Sequence, residues 1–253
     1  MMKTGYKRLD KLLGGGLKKG EVTIIAGRPA MFKRTLALNI AHGLANSFYK
    51  TLIFSTQYSE KIISDKINKM CENELIGSER ATIKTKEMFI INDHSYLTPS
   101  YIEKQIDDIS QKKRDISAVV IHCFNDILCD NWRDLEKRSY ADKITNRSVV
   151  MNELRRIARD KNIAIIVCAN LDREVELRDD HNPTLEDLSR VIDYECFPDN
   201  ILFVFRNSVY AFDDKNNDED KLEVRAVETR STQSGTIVFR YDKDINKLLE
   251  EKK

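Results

Sequence analysis

The chain has 253 residues, 41% of them apolar, with 42 basic and 41 acidic side chains and a formal net charge of +1. That length supports the core of one large α/β domain, and that balance excludes strong bulk attraction to nucleic acid or an anionic membrane. No apolar run approaches a membrane span and the opening MMKTGYKRLDKLL has no signal-peptide core, so the expectation is a cytoplasmic protein that does not contact membranes.

In chain order, EVTIIAG (21–27) is a β-branched apolar run that reads as a buried strand, and RPAMFKRTLALNIA after it opens a helix. Further strand-like runs are TLIFS (51–55), MFIIND (88–93), SAVVIHC (117–123), AIIVCAN (164–170) and NILFVFR (200–206). Between them Ile102, Ile106 and Ile109 repeat at helical spacing, as do Val150, Leu154, Ile157 and Ala158. LTPSYIEKQ carries a helix start, with Pro99 followed by Ser100 as the expected cap. Strand–helix alternation implies a mainly parallel sheet covered on both faces. The end changes character: a polar connection DDKNNDED (213–220) leads to LEVRAVETR (222–230) and GTIVFRYD (235–242), an expected antiparallel hairpin at the sheet edge. No repeat or linker interrupts residues 1–253, which read as a single domain.

Five cysteines (Cys71, Cys123, Cys129, Cys168, Cys196) form no C-x-x-C pair and read as reduced thiols in a cytoplasmic chain. Five of the nine glycines lie in the first 20 residues and none lies between Gly77 and Gly235, so glycine-rich mobile loops are not expected mid-chain.

The junction GRPAMFKRT (27–35) has the rhythm of the phosphate loop G-x-x-x-x-G-K-[ST]. In such a loop backbone N–H groups and a helix N-terminus surround phosphates, lysine reaches the β and γ phosphates, and a hydroxyl holds Mg²⁺. Gly27 and Lys33 are retained, but Phe32 stands at the second glycine and Arg34 at the hydroxyl. Gly27, Arg28, Phe32, Lys33, Arg34 and Thr35 form the candidate nucleotide- or anion-binding set.

The flanking sequence TGYKRLDKLLGGGLKKGEVTIIAGRPAMFKRTLALNIA resembles the start of the RecA-like motor domain of DnaB-type replicative DNA helicases. The resemblance continues in order through TLIFSTQYS, MFIINDHSYLTPSYIEKQIDDI, AVVIHCFND, VCANLDREVELRDDHNPTLEDL, DNILFVFRNSVY and VETRSTQSGTIVFRYD. It implies a RecA-like P-loop α/β fold with a closing antiparallel hairpin, and in the family an ATP- and Mg²⁺-dependent DNA helicase. The motor segment already begins at residue 4, so the family's separate N-terminal domain and linker helix are expected to be missing.

Carried onto this chain, the resemblance assigns four altered positions. Phe32 occupies the phosphate cradle, where its ring is expected to block the phosphate or to change the loop. Arg34 replaces the metal-binding hydroxyl, His122 replaces the Walker B aspartate, and Gln57 stands at the catalytic glutamate, where an amide cannot take a proton. No metal ligand set remains, so ATP and Mg²⁺ are expected to bind weakly or not at all. Arg230 falls at the trans-acting arginine finger or is a solvated hairpin arginine; Asn125 and Asn170 fall at polar sensor positions or cap strand ends. Asp187 and Arg173 keep a later motif and are expected to serve structure.

Residues 124–148 pair Asp126, Asp130, Asp134, Glu136 and Asp142 with Arg133, Lys137, Arg138, Lys143 and Arg147, which makes no electrostatic funnel for single-stranded DNA. Trp132 and Tyr140 are candidates for base stacking or, for Trp132, an interface anchor. Three function classes follow. The leading one is a catalytically degenerate helicase-like protein associated with DNA replication that contacts another RecA-fold protein, such as a replicative helicase or replication protein. The second is an active helicase with an atypical site, and the third a passive, weak DNA-binding module.

Overall fold

The computed structural model describes residues 1–72, 85–112, 115–130, 139–210, 220–229 and 231–251. Among these, the strands are β1 (Val22–Gly27), β2 (Thr51–Phe54), β3 (Phe89–Asn92), β4 (Ala118–Ile121), β5 (Ala164–Asn170), β6 (Asn200–Phe205), β7 (Lys221–Ala226), β8 (Gly235–Asp242) and β9 (Lys247–Glu250). They form one sheet in the order β3-β2-β4-β5-β1-β6-β7-β8-β9. Pairing is parallel from β3 to β6 and antiparallel from β6 to β9. All six apolar runs of the sequence are strands of the parallel part. The expected hairpin forms as β7 and β8, but β7 ends at Ala226 rather than 230, and β9 adds a third antiparallel strand. KLLE (247–250) is too short and too charged to signal a strand by itself; pairing with β8 makes it one.

Because β1 and β5 are covered on both faces, alternate residues serve opposite cores. Ile25, Ile166 and Cys168 join one cluster with α2 (Lys33–Asn46) and α3 (Glu60–Glu72). Ile24, Ala26, Ile165 and Val167 join the other with α4 (Pro99–Gln111) and α5 (Tyr140–Asp160), the helices numbered after α1 (Lys7–Leu12). The helical repeats found in the sequence are these inner faces: Ile102 and Ile106 on α4, and Val150, Leu154, Ile157 and Ala158 on α5. The cap of α4 is Thr98, not Ser100. Thr98 Oγ1 accepts from the Tyr101 N–H and Pro99 takes the first helical position, where its missing N–H costs nothing.

Signature residues of the N-terminal stretch hold the fold together. Thr4 donates from both N–H and Oγ1 to buried Asp10 Oδ1, each at 2.8 Å. A Cβ on Gly43 would meet the Thr4 carbonyl at 2.0 Å, so only glycine lets α2 touch this segment. Asn39 of the ALNIA helix accepts from the Tyr6 hydroxyl (3.0 Å) and the Leu248 N–H (3.0 Å) and donates to the Asn246 carbonyl (3.1 Å). It ties α2 to both chain ends. Burial raises the Tyr6 hydroxyl far above its ordinary range, so it stays a donor. All five cysteines are free thiols; burial raises Cys123 and pushes Cys168 up to about 12. Among the described residues no helix is long and apolar enough to cross a membrane.

Candidate functional site

The carboxyl ends of β1, β2, β4, β5 and β6 lie along one edge, where open α/β sheets place ligands. There β1 ends at Gly27, whose absent side chain admits the Val204 carbonyl; a Cβ would stand 2.6 Å from it. The loop then turns into α2 through two residues in the left-handed region, Ala30 (φ 64°) and Phe32 (φ 55°). A conformation that favours glycine is therefore held by a phenylalanine, at roughly 1 kcal/mol of backbone cost. The half-buried ring packs against the core, 4.7 Å from the Tyr241 ring at 50°, with the Arg206 guanidinium 3.6 Å above it. The Phe32 ring thus lines a pocket of about 570 Å³ together with Lys33, Arg34, Gln57, Lys66 and Arg206.

Lys33 is 7% exposed and its Nζ donates to the Arg28 carbonyl of its own loop at 2.6 Å. Burial, helped by the neighbouring Arg34 and Arg28 charges, lowers its pKa to about 8. Arg28 itself turns away to the Leu171 carbonyl (2.7 Å) and Glu176 (2.9 Å). The Thr35 carbonyl is taken by Asn39 Nδ2, so this residue serves the helix as well as lining the pocket. Arg34 reaches across to the segment after β2: its guanidinium donates to Gln57 Oε1 and sits 4.8 Å from the Tyr58 ring centroid. Gln57 Nε2 in turn donates to Asp126 Oδ2 (3.0 Å), which also accepts from Thr56 Oγ1 (3.0 Å).

His122 follows β4 and is 2% exposed, with neither ring nitrogen hydrogen-bonded. Burial, then Arg34 and Lys66, lowers its pKa to about 3, so it is neutral at physiological pH. Asn125 and Asn170 are joined: Asn125 Nδ2 donates to the Asn170 carbonyl (3.0 Å) and the Asn170 N–H donates to Asn125 Oδ1 (2.7 Å). This clamps the end of β5 to the turn after β4, and Asn170 still faces the pocket. Lys33, Arg34, Gln57 and Asn170 are thus brought to one place.

Arg230, Trp132 and the charged residues 133–138 lie outside the described residues, as do Gly77 and most of the 213–220 connection. The hydroxyl of Tyr140 is held by Asp172 Oδ2 (2.6 Å) and the Arg190 carbonyl (2.8 Å). Asp187, 2% exposed, completes a capping box with Thr184 and accepts from Arg178 (2.6 Å), a structural role as expected.

Sequence reasoning missed Asp126, Tyr58, Lys66, Arg206 and Tyr241 as site residues. Arg206 carried a signal, since it directly follows a parallel strand at the ligand edge of the sheet. Tyr241 and Lys66 reach the pocket from the hairpin and from α3, and local sequence carries no sign of that.

A parallel sheet with a glycine-ended first strand, a lysine-bearing loop at a helix N-terminus and a closing antiparallel ribbon defines a RecA-like α/β core. Solved structures agree on the fold. A solved ATPase domain superposes with a TM-score of 0.82 at 20% identity over 99% of this chain and 91% of that one. A DnaB-like replicative helicase, described with its interactions with primase, gives 0.82 at 21% over 98% and 61%. The RadB recombinase gives 0.64 at 20% over the whole of both chains.

The match to the DnaB-like helicase C terminal domain runs over residues 1–250, and the chain belongs to that family. The replicative DNA helicase DnaB of Buchnera aphidicola subsp. Baizongia pistaciae is 28% identical over 229 residues, 82% of this chain and 47% of that protein. That of Mycoplasma pneumoniae is 27% identical over 273 residues, 97% of this chain and 56% of that protein. The chain therefore spans about half the length of these curated relatives.

Proposed function

We propose that this chain is a DnaB-type motor domain that no longer hydrolyses Mg–ATP and that acts in DNA replication by docking on another RecA-fold protein. The observation that carries the reading is the Arg34–Gln57 hydrogen bond with neutral, unpartnered His122 buried nearby. By the family resemblance these are the positions of the metal-binding hydroxyl, the catalytic acid and the Walker B acid. Here they offer a cation, an amide and an imidazole. Magnesium wants near-octahedral oxygen ligands, and a guanidinium in its place repels it. The donor set does not fit the ion, so no hydrolytic step is routed through it. Loss of general-base assistance alone removes roughly 10²–10⁴ in rate.

Asp126 favours a second reading, an active ATP-dependent helicase with an atypical site, because its carboxylate stands beside Gln57 and is a hard oxygen donor. Three hydrogen-bonding and charged neighbours oppose it: Thr56 and Gln57 already occupy that oxygen, and Arg34 lies one residue further along the chain of contacts. Turnover of ATP with Mg²⁺ and single-stranded DNA decides between them. The expected result is no hydrolysis above background; a rate of about 1 s⁻¹, ordinary for an enzyme, that vanishes in Lys33→Ala establishes the second reading. Co-elution with a replicative helicase, compared between the native chain and Arg230→Ala, tests the docking partner.

A further inference from the structure

We infer that the pocket is a site for a bare triphosphate-type chain, bound without a divalent metal, in which the Arg34 guanidinium stands in for the metal ion. This rests on the reading of a non-hydrolysing site and gives that site a ligand.

Three cationic side chains converge on the pocket from different positions: Lys33 and Arg34 on the first turn of α2, and Lys66 on α3. None of the three forms an ion pair with a carboxylate among the described residues. Lys33 donates to a backbone carbonyl, Arg34 to a neutral amide, and Lys66 lies 5.1 Å from the Tyr58 ring centroid. Between Asp126 and Arg34 stands the Gln57 amide, which donates to the carboxylate and accepts from the guanidinium. Lys33, Arg34 and Lys66 stand in a concave site with no acid among the described residues that line it, at a helix N-terminus, and call for an anion of matching charge.

The size fits as well: about 570 Å³ lies within the range of small-molecule sites and far exceeds a single phosphate. A neighbouring hollow of about 400 Å³ shares Lys66 and Tyr241 with it, but Asp65 lines that hollow and its Lys243 is paired with Asp220 at 3.1 Å, so the phosphates are assigned to the first pocket alone.

In an ordinary phosphate loop a metal ion bridges the β and γ oxygens. Here that charge is built into the protein. A guanidinium gives planar, bidentate donation to phosphate oxygens, and Arg34 is already positioned by Gln57 and Tyr58. A metal-complexed phosphate would bring a second cation against the first. The same chemistry is offered by inorganic tripolyphosphate and by a nucleoside triphosphate.

The test is calorimetric titration of the full chain with tripolyphosphate, and separately with ATP, in EDTA and in excess Mg²⁺. Binding in EDTA is expected, weakened about tenfold or more by Mg²⁺. Arg34→Ser should lose about tenfold in EDTA and lose the penalty from Mg²⁺, with Arg34→Lys intermediate because charge remains but the fork is gone. Thermal melts of each variant without ligand verify the fold. ATP binding about tenfold tighter than tripolyphosphate supports the site with a nucleotide as its source; equal affinities support it with the phosphate chain alone. Tighter binding in Mg²⁺, no binding of either ligand in EDTA, or unchanged affinity in a folded Arg34→Ser overturns it. ATP turnover in the same preparation is read separately. Hydrolysis sinks the non-hydrolysing reading, whereas a Mg²⁺-tightened but idle site sinks only this inference.

Discussion

Replacing Lys33 by methionine removes a charge that the fold carries at a cost. The ammonium is 7% exposed and donates to the Arg28 carbonyl at 2.6 Å. Its pKa falls from 10.5 to about 8 on folding, which at about 1.4 kcal/mol per tenfold amounts to roughly 3 kcal/mol of destabilisation when it is charged at neutral pH. Loss of the hydrogen bond to Arg28 returns about 1 kcal/mol of that, and methionine fills the same slot with an unbranched apolar chain. Lys33→Met should therefore be more stable than the native chain by about 2 kcal/mol at pH 7, a rise in melting temperature of roughly 5 °C for a chain of this size. The sign with pH is fixed by the direction of the displacement. Between about 8 and 10.5 the unfolded chain holds a proton that the folded chain has lost, so the native protein gains stability as pH rises through that window. The advantage of Lys33→Met should vanish above pH 10.5 and be complete below 8. Urea denaturation of both proteins in anion-free buffer at pH 7, 9 and 10.5 measures it. A variant less stable than the native chain at pH 7, or a difference that does not change with pH, refutes the reasoning.

His122, with its pKa lowered to about 3, should cost the native chain about 1.4 kcal/mol of stability per pH unit as pH falls below 6.5; acid titrations in which His122→Leu keeps the native slope contradict this. Phe32→Gly relieves the left-handed backbone but gives up the contacts with Tyr241 and Arg206, so stability should stay within about 1 kcal/mol. A loss above about 2 kcal/mol in chemical denaturation would show the ring to be worth more than its contacts. Asp187→Ala removes a capping box and the partner of Arg178, with an expected loss of about 2–4 kcal/mol; under 1 kcal/mol sinks the structural role. Gly43→Ala should cost about 2–3 kcal/mol because its Cβ falls on the backbone carbonyl of Thr4, and a native-like melting temperature would mean that the contact yields.

The parallel half of the sheet was legible because its inner strands are buried on both faces and so appear as unbroken apolar runs, while the half-buried edge strand β3 still reads FIIN. The antiparallel edge was legible only in part. KLLE at 247–250 has no period of its own and becomes a strand through β8, while Thr98 lost to Ser100 as the expected cap because both precede or follow Pro99 with a suitable hydroxyl. At the site, the residues of the loop were readable from spacing, since the phosphate-loop rhythm is local. What spacing could not convey was that the Phe32 ring would rest on a tyrosine from β8 and an arginine after β6. Nor could it convey that Gln57 would sit between a cation and an acid.

The altered site sits on a fold whose determinants lie elsewhere. Thr4, Asp10 and Gly43 dock the N-terminal segment on α2; Asn39 joins α2 to both chain ends; Asp187 closes a capping box on α6 (Leu185–Ser189). None of these contacts passes through the groups that a metal-dependent ATPase would use at Arg34, Gln57 and His122. Arg34 and Gln57 bond to each other at the rim, and His122 is buried as a neutral ring with neither nitrogen hydrogen-bonded. On the reading proposed above, the strands, cores and signature bonds persist while the sheet edge presents a cation where the family holds one. That independence is why a family likeness running along residues 1–250 says what the scaffold is, and why the charge pattern of one pocket must say what it binds.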